Sequence, residues 1–111
     1  MKKGVRKRYV AFEVRGSMEK DEVVNFIKSI LDEILGLFSS LQIIDVKMIG
    51  KTGSLCYVLF IIREGADLHQ ILAFIPLFKA ERGFLIPLLT SGSIVALKQN
   101  LKARYPELVR G

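Results

Sequence analysis

Apolar residues recur along this chain in three rhythms, and each rhythm predicts a different kind of element. From Arg8 to Arg15 they alternate, with Val10, Phe12 and Val14 on one face and Tyr9, Ala11, Glu13 and Arg15 on the other. That is the pattern of a half-buried strand. Next comes a helical spacing: Val23, Ile27, Ile30, Ile34 and Phe38 form a stripe, from an N-cap at Ser17 to about Ser39. Glu19, Asp21 and Glu22 suit the positive end of that helix. Alternation returns over Leu41–Ile49, a turn is expected at Gly50–Ser54, and Leu55–Ile62 is then apolar at every position. An unbroken apolar run of this length predicts a strand buried on both faces.

The second half repeats these rhythms. Asp67 can cap a helix with the stripe Leu68, Ile71, Leu72 and Ile75, which Pro76 kinks or ends. Gly83–Leu89 predicts a fourth strand, held at a sheet edge by Pro87, whose missing N–H does no harm there. Ser91 or Ser93 caps a last helix to about Tyr105, with Ile94, Leu97, Leu101 and Tyr105 on one side and Pro106 as its stop. The predicted order is βαββαβα, an α+β chain. It fits a ferredoxin-like or RRM-like antiparallel sheet of order 4-1-3-2 with an added C-terminal helix. The all-apolar third strand belongs inside such a sheet. The strands bearing Pro87 and Asp45/Lys47 belong at its edges. One domain over residues 1–111 is expected, with residues 1–7 as a flexible basic arm and 106–111 as a short tail.

Composition changes this picture in one respect. Hydrophobic residues make up 50% of the 111, yet the net charge is +6, from 17 Lys and Arg against 11 Asp and Glu. So apolar a chain is not disordered. Its longest uncharged stretch, Gly83–Leu97, is too short to span a membrane. No export signal follows the basic start, and the single cysteine, Cys56, cannot form an internal disulfide, so a cytoplasmic location is expected. The charge is unevenly placed. Residues 1–8 carry five basic groups and no acid, residues 9–91 eight basic against ten acidic, and residues 92–111 four basic against Glu107. Basic ends around a slightly acidic body predict a polyanion site.

Candidate chemistry is sparse. Gly50-Lys51-Thr52 lacks the glycine and the following helix that a phosphate-binding P-loop needs. His69 is the only histidine and has no second ligand at metal-binding spacing. Glu22, Asp32 and Glu33 lie on the solvated side of the first helix. The third strand lacks the basic residue and glycines of an RNA-recognition strand, so stacking of bases on the sheet is not expected. The last helix is the better candidate: Lys98 and Lys102 line one flank of its stripe and Arg104 the other. Its start, Ser91-Gly92-Ser93, offers hydroxyls and free N–H groups to a phosphate. The broad stripe of the first helix, including Phe26 and Leu37, and the cluster Phe74, Leu77 and Phe78 around Pro76 are candidate protein-partner surfaces.

Several segments together resemble a known family. Val5-Arg6-Lys7-Arg8-Tyr9 looks like a shortened form of the V-R-x-K-x-R-Y opening of the archaeal and eukaryotic ribonuclease P protein family (component 2 in archaea). Ile61-Ile62-Arg63 resembles that family's strand ending in arginine. Thr90-Ser91-Gly92-Ser93-Ile94, with Leu97-Lys98 and Arg104-Tyr105, resembles its V-S-G-T-I-x-x-L-K segment and closing Q-Y. Ser93 stands for the usual threonine, and Val95 and Ala96 stand where basic or polar residues are common. The resemblance implies a subunit of the ribonucleoprotein that removes the 5′ leader from precursor tRNA. Phosphodiester hydrolysis would then belong to the RNA subunit with Mg²⁺, and this chain would bind no cofactor or metal. Implied partners are the ribonuclease P RNA with its precursor tRNA and a barrel-type protein subunit, in a homodimer or heterotetramer, with no membrane. The expected RNA contacts are Lys3, Arg6, Lys7, Arg8, Ser91, Gly92, Ser93, Lys98, Lys102 and Arg104. Read without the resemblance, the residues leave open a ferredoxin-like ligand-binding or assembly domain with no nucleic acid.

Overall fold

Four strands, β1 (Val5–Gly16), β2 (Ile43–Thr52), β3 (Leu55–Arg63) and β4 (Gly83–Ser91), form one open antiparallel sheet in the order β2-β3-β1-β4. Three helices, α1 (Lys20–Leu35), α2 (Leu68–Phe74) and α3 (Ile94–Arg104), join or cover the strands, and a single turn, α4 (Pro106–Val109), follows. The computed structural model describes residues 4–35 and 43–109.

The unbroken apolar run of β3 has a direct cause. Cys56, Val58, Phe60 and Ile62 enter the large core beneath α1 and α2, while Tyr57 enters a smaller core beneath α3. The same division explains the alternation in β1. Val10, Phe12 and Val14 face α1 and α2, and Ala11 faces Leu97 and Leu101 of α3. Phe12 and Phe60 are fully buried, with ring centroids 6.3 Å apart and tilted. Each such side chain contributes about 1.5–3 kcal/mol by leaving water.

The edges are irregular where pairing with another chain must be discouraged. Pro87 of β4 lies opposite Phe12, beside a register shift between Ala11 and Phe12. β2 carries two shifts, between Ile43 and Asp45 and between Met48 and Gly50. Bulges of this kind bend an edge and break its ladder.

Local signals set most boundaries. The Asp67 carboxylate accepts the Gln70 N–H at 3.2 Å and starts α2. Pro76 turns the chain into a 3-10 turn at Ile75–Leu77. The Ser93 hydroxyl accepts the Ala96 N–H at 3.3 Å and starts α3, so Ser93 is the cap and Ser91 is not.

Some boundaries differ from those expected. β1 begins at Val5, three residues before the apolar alternation, so residues 5–7 belong to the sheet and not to a flexible arm. Its polar start is held by the backbone ladder to β3, in which Val5 pairs with Arg63 and Arg6 with Ile62. A ladder needs no apolar side chains, which is why periodicity missed it. Gly50-Lys51-Thr52, expected as a turn, continues β2 to the hairpin at Gly53. Ser17 does not cap α1. Its N–H donates to the Arg82 carbonyl at 2.9 Å, and the Glu22 carboxylate accepts the Glu19 N–H at 3.1 Å. The expected end of α1 near Ser39 and the start of β2 at Leu41 lie outside the described residues. Pro106 begins the turn of α4 where an irregular tail was expected. Among the described residues no helix is long and apolar enough to cross a membrane.

Candidate nucleic-acid interface

The pairing of β1 with β4 brings the basic start of β1 against the uncharged segment that leads into α3. Tyr9 lies opposite Ser91, so Arg8 reaches the segment that leads into α3. A methyl group built on Gly92 would stand 3.2 Å from the Arg8 Nη1 atom. That contact is tight, and the guanidinium would shift by a few tenths of an ångström to admit it. The same Nη1 donates to the Lys7 carbonyl at 3.1 Å, which holds the side chain in place while leaving its other donors free.

The hydroxyls of the Ser91-Gly92-Ser93 segment also organise the helix start. The Ser91 hydroxyl accepts the Ser93 N–H at 3.1 Å, and the Ser93 hydroxyl accepts the Ala96 N–H. Each oxygen accepts one bond at the helix start, and each O–H can still donate to a phosphate. The first turn of any helix leaves N–H groups without intrahelical partners. Here those of Ile94 and Val95 remain. Gly92 and Ser93 are exposed and Ser91 is half-buried.

Strand alternation divides the remaining basic residues. Arg6 and Arg8 share the face of Val10, whereas Lys7 shares the face of Tyr9 and Ala11, toward α3. Arg63, exposed and paired with Val5, joins Lys7 on that face at the end of the sheet. Arg63 was missing from the expected contacts, although the arginine closing the strand was the signal that could have included it. The four residues Arg6, Lys7, Arg8 and Arg63 thus surround one end of the β1–β3 pair.

Lys98 and Lys102 do not join this group. They line a groove of about 410 Å³ between α3 and the β2–β3 hairpin. Lys98 Nζ stands 5.3 Å from the centre of the Tyr57 ring, a cation–π distance. Arg104 is exposed in the last turn of α3, where a cation favours the helix dipole. Lys3 lies outside the described residues. Among the described residues the ion pairs are Arg15–Glu13 at 3.1 Å and Arg82–Glu22 at 3.2 Å. None of the basic residues at the strand end or on α3 has a carboxylate partner there.

The expected protein-partner set is mostly occupied within the chain. Phe26, Phe74 and Phe78 are half-buried and pack on the large core, because the α1 stripe is wide enough to meet both the sheet and the segment after α2. Leu77 alone of this set stands out, 74% exposed. Leu37 lies outside the described residues. His69 is exposed beside the α2 cap, and among the described residues no three metal-binding side chains gather.

Cys56 belongs to the core and not to the site. Burial pushes its thiol from an ordinary 9.0 up to about 12, against opposing pulls from Lys51 and a hydrogen bond with the Phe12 backbone. The unfolded thiol ionises near its ordinary value, so between about pH 9 and 12 the unfolded chain binds fewer protons than the native one. Stability contributed below pH 9 is then lost as pH rises. Burial moves the Tyr57 hydroxyl in the same direction. Cys56→Ala should make the alkaline limb of a Tm-against-pH curve shallower than in the parent. Parallel limbs above pH 9 would contradict this account.

Compared with known proteins, the chain matches no protein-family model and no curated protein sequence.

Proposed function

We propose that this chain is a protein subunit of a ribonuclease P-type ribonucleoprotein, one that binds the catalytic RNA and assists removal of the 5′ leader from precursor tRNA. The observation that carries the proposal is the contact between Arg8 and Gly92. It sets the basic N-terminal segment that resembles the family beside Ser91-Gly92-Ser93, the family-like segment near the other end of the sequence. The strand order and the helix following β4 are consistent with a ferredoxin-like fold carrying an extra C-terminal helix, as the resemblance implies.

The site has the chemistry of a phosphate cradle. Arg8 supplies a planar fork of donors, which suits two phosphate oxygens better than a lysine does. The N–H groups of Ile94 and Val95 add the positive end of α3. Arg6, Lys7 and Arg63 extend the positive field to neighbouring phosphates. In this reading, as the resemblance implies, the hydrolysis belongs to the RNA and its Mg²⁺. The protein's part is to lower repulsion where RNA strands approach one another, which reduces the Mg²⁺ the folded RNA requires. A barrel-type protein subunit is the implied partner, with the exposed Leu77 as one point of its contact.

The test is precursor-tRNA cleavage by a reconstituted RNA–protein mixture across a Mg²⁺ series, with and without this chain. The chain should move the Mg²⁺ midpoint of cleavage downward. Replacing Lys3, Arg6, Lys7, Arg8, Lys98, Lys102 and Arg104 by Ala should return it to the value without protein. A midpoint that ignores the chain would sink the proposal.

A further inference from the structure

The groove under α3 is separate from the strand-end site and has a different composition. Its wall is apolar, from Leu55, Tyr57, Val95 and Val109. Val95 is 62% exposed, high for a valine in a helix. The rim carries Lys98 and Lys102, both exposed and neither paired with a carboxylate among the described residues. No acidic residue lines the groove. Thr52 and Gln99 add a hydroxyl and an amide, which between them can donate and accept hydrogen bonds.

From this we infer that the groove is a subsite for a single unstacked nucleotide of bound RNA. The base lies against the apolar wall, its edge is read by Gln99 and Thr52, and its flanking phosphates pair with Lys98 and Lys102. The inference rests on the RNA-binding reading above. Size favours this occupant: about 410 Å³ lies in the range of small-ligand sites, whereas an amphipathic helix would need a trough several turns long. Charge favours it too, because an apolar slot with two unpaired cations and no acid complements a base between phosphates. The face of Tyr57 is covered by Lys98, so the base packs beside the ring and does not stack on it.

The experiment uses the full chain, isotope-labelled, and single-stranded tetraadenylate RNA as the probe. Amide shifts should gather at Val95, Lys98, Gln99, Lys102 and Val109. A Thr52→Val, Gln99→Leu double variant keeps charge and approximate volume, and its new residues suit a strand and a helix. It should bind tetraadenylate about tenfold more weakly, the loss expected for one or two hydrogen bonds to the base edge. A Lys98→Gln, Lys102→Gln variant should bind more weakly and with a flatter salt dependence. Lys28→Ala, exposed on α1 and away from the groove, should leave tetraadenylate binding unchanged. The inference is overturned if the Thr52/Gln99 variant binds as tightly as the parent, or if the shifts gather at Arg6–Arg8 and Gly92. Binding of ribonuclease P RNA without groove shifts would overturn the inference and spare the proposed function. Groove binding of tetraadenylate without affinity for that RNA would support the subsite and sink the proposed function.

Discussion

A chain carrying Arg6→Ala, Lys7→Ala and Arg8→Ala will fold as the parent does and bind ribonuclease P RNA about a hundredfold more weakly at moderate salt. That figure corresponds to roughly 1 kcal/mol for each lost phosphate contact. The slope of log affinity against log salt should flatten by about three, because each neutralised phosphate contributes close to one counterion. The fold should survive because Arg6 and Lys7 are exposed, Arg8 is only half-buried, and β1 is held there by backbone pairing with β3. Fluorescence anisotropy over a salt series, with a melting curve for each protein, measures both parts. Weaker binding with an unchanged slope would mean that the three residues do not meet phosphates. Within the triple, Arg8 should account for the largest share, since it alone touches the start of α3.

Gly83→Ala will lower stability by about 3 kcal/mol or more, and Gly16→Ala by a similar amount. The two glycines face each other at the far end of the β1–β4 pair. Both have positive φ, +121° at Gly16 and +151° at Gly83, a region that costs other residues about 1–3 kcal/mol. Space is lacking as well. A methyl group on Gly16 would overlap the Arg82 carbonyl, and one on Gly83 would overlap the Arg15 carbonyl. The obstacles are backbone atoms, so they cannot swing aside as a side chain would. The Arg82 carbonyl is already fixed by the Ser17 N–H. For a domain of this size, 3 kcal/mol corresponds to a fall in Tm of about 10–20 °C. Thermal unfolding decides it: a shift of less than a few degrees would show that the strands separate there at little cost. Because this crossing is remote from Arg8 and Gly92, RNA affinity measured well below Tm should not change.

The comparison of Gly16 with Gly92 shows how far local sequence can be read. All glycines look alike in a sequence, yet Gly16 is required by its backbone angle and by the Arg82 carbonyl, whereas Gly92 lies against the guanidinium of a residue more than eighty positions away. Only pairing between distant strands creates those neighbours. The serines of the α3 start make the same point. Their presence before an apolar stripe identified a helix start, but one local and one long-range observation were needed to see which donors stand there for a ligand. The hydroxyls accept bonds from the helix start locally, and Arg8 arrives from the other end of the chain.

By itself the sequence determined the order of the main elements and, in β1, the side of the sheet each apolar residue would face. Period 2 in β1, an unbroken apolar run in β3, Asp67, Pro76, Ser93 and Pro87 are local causes, acting within a few residues through steric and hydrogen-bonding preferences. It also determined that the basic charge sits at the two ends. The tertiary structure decided what those ends do. Strand pairing placed Arg8 against Gly92, and strand alternation set Arg6 and Lys7 on opposite faces. The path of α3 across the sheet carried Lys98 and Lys102 to a groove of their own. Those outcomes depend on contacts between residues far apart in the chain, which no local periodicity encodes.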